Sequence, residues 1–411
     1  MVRRHPEVFR LRRVGASRAG APLLLLSVGH GSVNVLLVAG AHANEPVGGA
    51  TSLHLAEMLA DERVRREFDC SWHFLLCLDP DGSRLNEEWL GRQPAIREYF
   101  AGFYRPLFAS QPEFLPMPEE ARRPLPESEC LLALLDELRP ALQFTLHGSE
   151  MGGAFVQTSK HIPGLVGVLR RTAGELAIPV DVRPFDGIDW HAVGPGVLTL
   201  PECAAPDGAR ERDPSGLSTG TTWFYPARYG TVTAILEAPA WAVEAVADPR
   251  PCPDPERAVA VAAENLMERI SQVAGLLSLA GEPPEPSDDP FRPAVAELVA
   301  VSPKVVETWL NPGFRYADGT RPAATRGNAA ALLIAARRIA LRAAAMLVRS
   351  LRDARGADAA KARTALEDLV ADWCREFEAD FGPRPVPVAD QAALQARLAL
   401  ACTGPFPGRT R

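Results

Sequence analysis

Lysine is nearly missing from this chain. Of 44 basic residues only Lys160, Lys304 and Lys361 are not arginine. Basic residues of either kind are outnumbered, 44 against 51 acidic ones, for a formal net charge of -7 at pH 7. Sequence-independent binding to a phosphate backbone needs a basic field, so the balance argues against a nucleic-acid partner. Paired cysteines are absent too. The seven present (Cys70, Cys77, Cys130, Cys203, Cys252, Cys374 and Cys402) are odd in number and never spaced C-x-x-C. That fits neither a disulfide framework nor a cysteine zinc site, and it points to a reducing compartment, the cytoplasm. Long apolar runs are lacking as well. No stretch approaches the roughly 18 residues of a membrane helix, and the run at residues 23–26 is too short for the core of a signal sequence, so no membrane partner is expected.

What is present is ample material for a core, 47% hydrophobic and 23% charged over 411 residues. Residues 33–39 (V-N-V-L-L-V-A), 72–78, 143–146 and 231–236 read as strands. Continuous β-branched and leucine runs of this kind fit strands buried on both faces. Helical patterns lie between them, after Pro46 and from Glu129 to Leu138. Alternation of this kind indicates an α/β domain with a mixed, mostly parallel sheet between helices. We place that domain at residues 1–280. Residues 281–325 read as a proline-rich linker and irregular segment, with four prolines between residues 281 and 290. Residues 326–411 read as an α-helical extension, with one helix capped by Asn328 and ending at Gly356 and another from Asp358 to Gly382. Arg338, Arg342, Arg349 and Arg352 fall on one stripe of the first, read as a solvated face ahead of a site for an anionic partner. These helices could cover a cleft, join two copies into a homo-oligomer or bind a partner.

Polar residues sit where buried strands end. After the first strand comes G-A-H-A-N-E-P (residues 40–46), after the third H-G-S-E (147–150), and the fourth ends L-E-A-P (236–239). Open α/β sheets place their ligand crevice at the carboxyl ends of strands. His42, Glu45 and His147 then form a two-histidine, one-carboxylate set suited to Zn²⁺ with a position left for water. Glu237 is the carboxylate beside that water, able to act as general base. Glu150 is a competing ligand three residues past His147, and His54, His73 and His161 read as capping or core residues.

G-A-H-A-N-E-P-V-G resembles the H-x-x-E metal motif of the zinc carboxypeptidase superfamily, which includes the succinylglutamate desuccinylase and aspartoacylase deacylases. L-D-P-D-G (78–82), L-H-G (146–148), W-F-Y (223–225) and Y-G-T-V-T-A-I-L-E (229–237) follow in the same order as that family's landmarks. The resemblance implies an eight-stranded mixed sheet, one zinc ion on His42, Glu45 and His147, and Glu237 as base and proton shuttle. It implies amide hydrolysis, most simply removal of a C-terminal residue from a peptide or amino-acid conjugate. A small-molecule deacylase is the alternative, and a non-catalytic binding protein on the same fold is the second.

The family's Asn-Arg pair for a substrate carboxylate is broken here. L-N-E-E-W (85–89) keeps Asn86 but has Glu87 at the arginine position, which would repel a carboxylate and suit an amine. Arg84 is the first substitute, as a carboxylate anchor or a polariser of the scissile carbonyl, ahead of Arg92, Arg97 and Arg105. The mobile tyrosine of the family has no clear counterpart, and Tyr225 and Tyr229 read as packing. Asp186 and Asp189 could rim the cleft, and Phe155 reads as core.

Overall fold

A computed structural model describes residues 1–90, 93–116, 122–185, 190–199, 220–281, 288–311 and 324–404. Among these residues ten strands form one sheet: β1 (Phe9–Ala16), β2 (Pro22–Val28), β3 (Val33–Ala39), β4 (Cys70–Leu75), β5 (Leu142–Gly152), β6 (Phe155–Thr158), β7 (His191–Gly194), β8 (Val197–Thr199), β9 (Val232–Ala242) and β10 (Arg384–Pro385). The helices before β9 are α1 (Val47–Met58), α2 (Glu62–Arg66), α3 (Pro80–Arg84), α4 (Glu87–Leu90), α5 (Ile96–Ala101), α6 (Pro126–Leu138) and α7 (Leu165–Glu175). After it come α8 (Pro255–Leu279), α9 (Phe291–Leu310), α10 (Arg326–Ser350), α11 (Ala357–Phe381) and α12 (Val388–Thr403).

The strand order is β1-β2-β4-β3-β5-β9-β6-β8-β7, with β10 against the end of β9. The central four, β4, β3, β5 and β9, run parallel. The flanks bring in antiparallel pairs, β1 with β2, β2 with β4, β6 with β9 and β7 with β8. The expected mixed sheet between helices is therefore present, with ten strands rather than eight. The unexpected ones are marginal: β1 carries Arg10, Arg12 and Arg13 on an exposed edge, and β7, β8 and β10 are four residues or fewer. Charged or very short edge strands give little alternating pattern to read.

Strand β3 explains the layering. Its Val35 and Leu37 enter one core and its Leu36 and Val38 the other, as the two-residue period of a strand demands. The first core is closed by α1, α7 and α12, through residues such as Leu55, Leu169 and Leu398. The second is closed by Leu131, Leu134 and Leu135 of α6. A third core lies beyond the carboxyl ends of the strands, where Met151 and Trp241 meet α5, α8, α9, α10 and α11.

Helix α10 runs through that third core. Its buried Ala335, Ala336, Ala340, Ala343 and Ala344 let α8, α9 and α11 approach closely. Its start differs from expectation by one capping step. Thr325 is the cap and Asn328 the third helical residue, each bonding the other's backbone N–H at 3.2 and 2.8 Å. Residues 291–310, read from their prolines as irregular, form α9 instead. Pro290 caps it and Pro293 lies in its first turn, where no N–H is needed. Only Pro303 interrupts the ladder. Of the expected linker and irregular segment, residues 282–287 and 312–323 lie outside the described residues. Among the described residues no helix is long and apolar enough to cross a membrane.

Candidate metal centre

The centre is assembled from three strand ends. After β3 the chain turns at Gly40, whose φ is 61° and where a Cβ would meet Cys77 Sγ at 2.9 Å, so glycine is required. The turn from His42 to Glu45 closes with Glu45 N–H on His42 O at 3.2 Å, and α1 begins at Val47. Strand β5 delivers His147 next door, in register with Glu237 of β9. His42 Nδ1 lies 2.9 Å from Glu45 Oε1, His147 Nδ1 lies 3.0 Å from Glu45 Oε2, and the two ring nitrogens are 3.1 Å apart. Among the described residues these three side chains are the group able to hold a metal ion.

The remaining ring nitrogens decide whether the set fits a metal. His42 Nε2 makes an ion pair with the buried Glu113. His147 Nε2 bonds Thr145 Oγ1 at 2.7 Å and has Glu113 Oε2 at 3.4 Å. Each imidazole can thus keep its proton on Nε2 and present an Nδ1 lone pair to the common point, the arrangement that outer partners impose on ligating histidines. Ligands about 2.0–2.1 Å from a tetrahedral zinc lie about 3.3 Å from one another, close to the spacing found. The donor set fits zinc.

Charge in the centre keeps its carboxylates ionised. Burial and the Arg105 charge push His42 down, but Glu113 and Glu45 outweigh them and hold its pKa above the ordinary histidine range. Burial would raise Glu45, yet His42, the bond from His147 and Arg105 leave it well below the ordinary carboxyl range. Burial likewise acts against Glu113, which His42 and His147 hold in its charged form. Both carboxylates therefore stay ionised, as a ligand and an outer acceptor must. Glu113 is fixed by its own surroundings, its Oε2 accepting from Trp223 Nε1 at 3.2 Å and its carbonyl from Thr222 N–H at 2.9 Å.

A cavity of about 230 Å³ opens over the three candidate ligands. Glu237 lines it, together with Arg105, Arg338, Arg342 and Trp223. Arg105 Nη1 donates to Glu45 Oε1 at 3.0 Å. Arg338 and Arg342 arrive from α10, and here the expectation of a solvated arginine stripe fails. Arg338 is 7% exposed and donates to Ser149 O at 2.9 Å. Arg342 binds Glu150 at 2.9 Å, and Arg349 caps the carbonyls of Leu85 and Gly102 at 2.7 and 2.8 Å. Only Arg352 is solvated, facing Glu88. The stripe fastens α10 to the sheet, because the bulged end of β5 and the turns near residues 85 and 102 leave acceptors that need buried donors.

Glu150 is accordingly no ligand. It accepts from Tyr99 Oη at 2.5 Å and Asn44 Nδ2 at 2.9 Å, and the Arg342 and Arg338 charges overcome burial to keep it ionised. Other sequence candidates lie off the cavity. Arg84 and Glu87 are exposed on α3 and α4 and do not line it. Asn86 is fully buried in a structural role, donating to Ala43 O at 3.0 Å and Tyr104 O at 2.9 Å. Tyr225 and Tyr229 both bond Asp136, away from the cavity. Phe155 is core as expected, whereas His54 and His161 are exposed. Arg92, Asp186 and Asp189 lie outside the described residues.

Sequence reasoning missed Glu113, which follows Q-P in a segment without periodicity and gave no signal. It also missed Gln395 of α12. This fully buried side chain donates from Nε2 to His147 O at 2.7 Å and Leu236 O at 2.9 Å, and accepts from Thr51 Oγ1 at 2.7 Å. One amide therefore ties together the ligand-bearing end of β5, the Glu237-bearing end of β9 and α1.

Residues 1–99 match the family model of the zinc carboxypeptidases, a span that includes His42 and Glu45. No curated protein matches the chain. Among solved structures, a candidate metallopeptidase from Shewanella denitrificans aligns at 17% identity over 58% of this chain and 77% of its own, with a TM-score of 0.40. Carboxypeptidase A from Helicoverpa armigera aligns at 14% identity over 58% of this chain and 61% of its own, with a TM-score of 0.34. The murein-tripeptide amidase of Escherichia coli O157 aligns at 16% identity over 56% of this chain and 88% of its own, with a TM-score of 0.29.

Proposed function

We propose that the protein is a zinc-dependent amide hydrolase of the carboxypeptidase type, acting on a peptide or amino-acid conjugate with a free carboxylate. The observation that carries this reading is the meeting of His42, Glu45 and His147 at one point, with Glu237 in register with His147 on the adjoining strand. Zinc held there supplies a Lewis acid that brings the pKa of a water to about 7. Glu237 takes the proton of the attacking water and delivers it to the leaving amine. Arg105, beside Glu45, faces the charge that develops on the scissile oxygen. Arg338 receives the substrate carboxylate, taking the part that Arg84 is too exposed to play. Glu113 and Thr145 hold the two imidazoles by their Nε2 protons.

In this division residues 1–280 provide ligands and base, and the helices after residue 325 provide the arginine wall. The free cysteines favour a reducing compartment, the cytoplasm. A small-molecule deacylase is the second reading, favoured by the modest size of the cavity, about 230 Å³.

Zinc-loaded protein would be offered matched peptides with free and amidated C-termini, together with N-acyl amino acids, and the products read by mass spectrometry. Release of single C-terminal residues from free-acid peptides, slowed about 10²–10⁴-fold by Glu237→Gln, is the expected result. Cleavage of acyl amino acids alone would hand the assignment to the deacylase. Absence of any Glu237-dependent turnover would remove both.

A further inference from the structure

The cavity over the metal centre is too small for more than the reacting end of a peptide, at about 230 Å³. Binding sites for whole ligands run to about 300–1,000 Å³. It continues into a cleft of about 950 Å³, and the two share Arg105, Phe108, Phe114, Arg338 and Arg342. One wall of the cleft is a face of α9, with Leu298, Val301, Val305 and Thr308 at helical spacing. The facing wall includes Phe108, Phe114 and Met346. Val301 and Phe108 stand 38% and 48% exposed, although each is a large apolar side chain next to others. At one end the walls are joined, Phe108 N–H donating to Glu297 Oε2 at 2.6 Å.

We infer that this cleft holds the part of the substrate upstream of the scissile bond, and that this part is an extended peptide with apolar side chains. The inference rests on the function proposed above and narrows it. The lining chooses between occupants. Leu298, Val301, Val305 and the phenylalanines offer apolar contact, while Glu297, Lys304, Thr308 and Asn311 offer donors and acceptors along the same length. A peptide fills both needs, because its side chains are apolar and its backbone carries one donor and one acceptor per residue. An acyl chain would leave the polar groups facing hydrocarbon, and a single acyl amino acid would leave the cleft open.

The probes are two synthetic octapeptides with the same C-terminal pair, one with leucine and valine upstream and the other with serine, and an N-acetyl amino acid. Affinity would be measured by calorimetry on metal-stripped wild-type protein, where turnover cannot interfere. The apolar octapeptide is expected to bind at least tenfold more tightly than the serine octapeptide or the acetylated amino acid. Val301→Asp should erase most of that advantage. Val305→Asp is the second variant should the first fold poorly. Equal affinity for the three probes, no measurable peptide binding, or indifference to both variants would each overturn the inference. Selective binding without hydrolysis by the zinc-loaded enzyme would refute the proposed function and leave the peptide cleft standing.

Discussion

Replacing Gln395 by leucine removes one side chain of the C-terminal helix and should damage the metal centre. Nε2 of Gln395 is the buried donor that the structure gives to His147 O and Leu236 O. His147 O lies where the β5–β9 register breaks and Leu236 O one pair before it, and both accept from this donor outside the sheet. Leucine nearly matches the volume and offers none. A buried acceptor stripped of its partner costs about 1–3 kcal/mol, and two carbonyls therefore cost about 2–6 kcal/mol. Thr51 adds little, because its hydroxyl can turn back to the carbonyl four residues earlier in α1.

Two assays separate a general loss of stability from a loss at the site. Thermal unfolding of the metal-free protein should show Gln395→Leu melting several degrees lower, since a chain longer than 250 residues shifts by no more than about 2–4 °C per kcal/mol. Chelator competition should show weaker zinc binding by about tenfold or more, because the His147 backbone is no longer fixed. Thr51→Val, which keeps both Nε2 bonds, serves as the control and should retain zinc affinity. A Gln395→Leu protein with unchanged melting temperature and unchanged zinc affinity would refute the reasoning. A lower melting temperature with intact zinc affinity would show the clip to be structural alone.

Glu113→Gln keeps the shape of an acceptor but not its charge, and should weaken zinc about 10–100-fold in the same competition assay while the protein stays folded. Arg342→Met strands the buried Glu150 carboxylate and should cost about 3–5 kcal/mol in denaturant unfolding, with partial rescue by Glu150→Gln. His73 gives a pH signature. Burial and then the Arg12 charge bring its pKa down to about 4, and its ring accepts from Ser27 Oγ at 2.9 Å and donates to Asn34 Oδ1 at 3.2 Å, as a neutral imidazole does. The unfolded chain takes up this proton near pH 6.5 and the folded chain does not, so stability drains as pH falls from about 6.5 towards 4. His73→Gln should flatten that part of the stability curve, and an unchanged slope would count against the assignment.

The parts legible in the sequence were those in which a local pattern and a local need coincide. Residues 35–39 are apolar throughout because β3 is buried on both sides there, and that burial is written into each of these positions. His42 and Glu45 stand three apart in one turn, so their cooperation shows in a short window. His147 and Glu237 could be added because each ends a run that reads as a central strand. The outer partners lacked any such window. Glu113 reaches His42 across 71 residues and Gln395 reaches His147 across 248, and neither stands in a pattern that a buried acceptor would single out.

The arginine stripe shows why the same surface pattern supports opposite readings. Arginines at helical spacing along one stripe of an alanine-rich helix look solvated when each is assigned to water. The reading changes once the strand ends are counted, because Glu150 is a buried carboxylate and Ser149, Leu85 and Gly102 present buried carbonyls to that side. A buried acceptor is costly unless something donates to it, and arginine carries five N–H groups on a long stem. Spacing reveals that a helix has a charged face, and only the acceptors opposite reveal whether that face is dry. Here they bring Arg338 and Arg342 to the cavity over His42, Glu45 and His147.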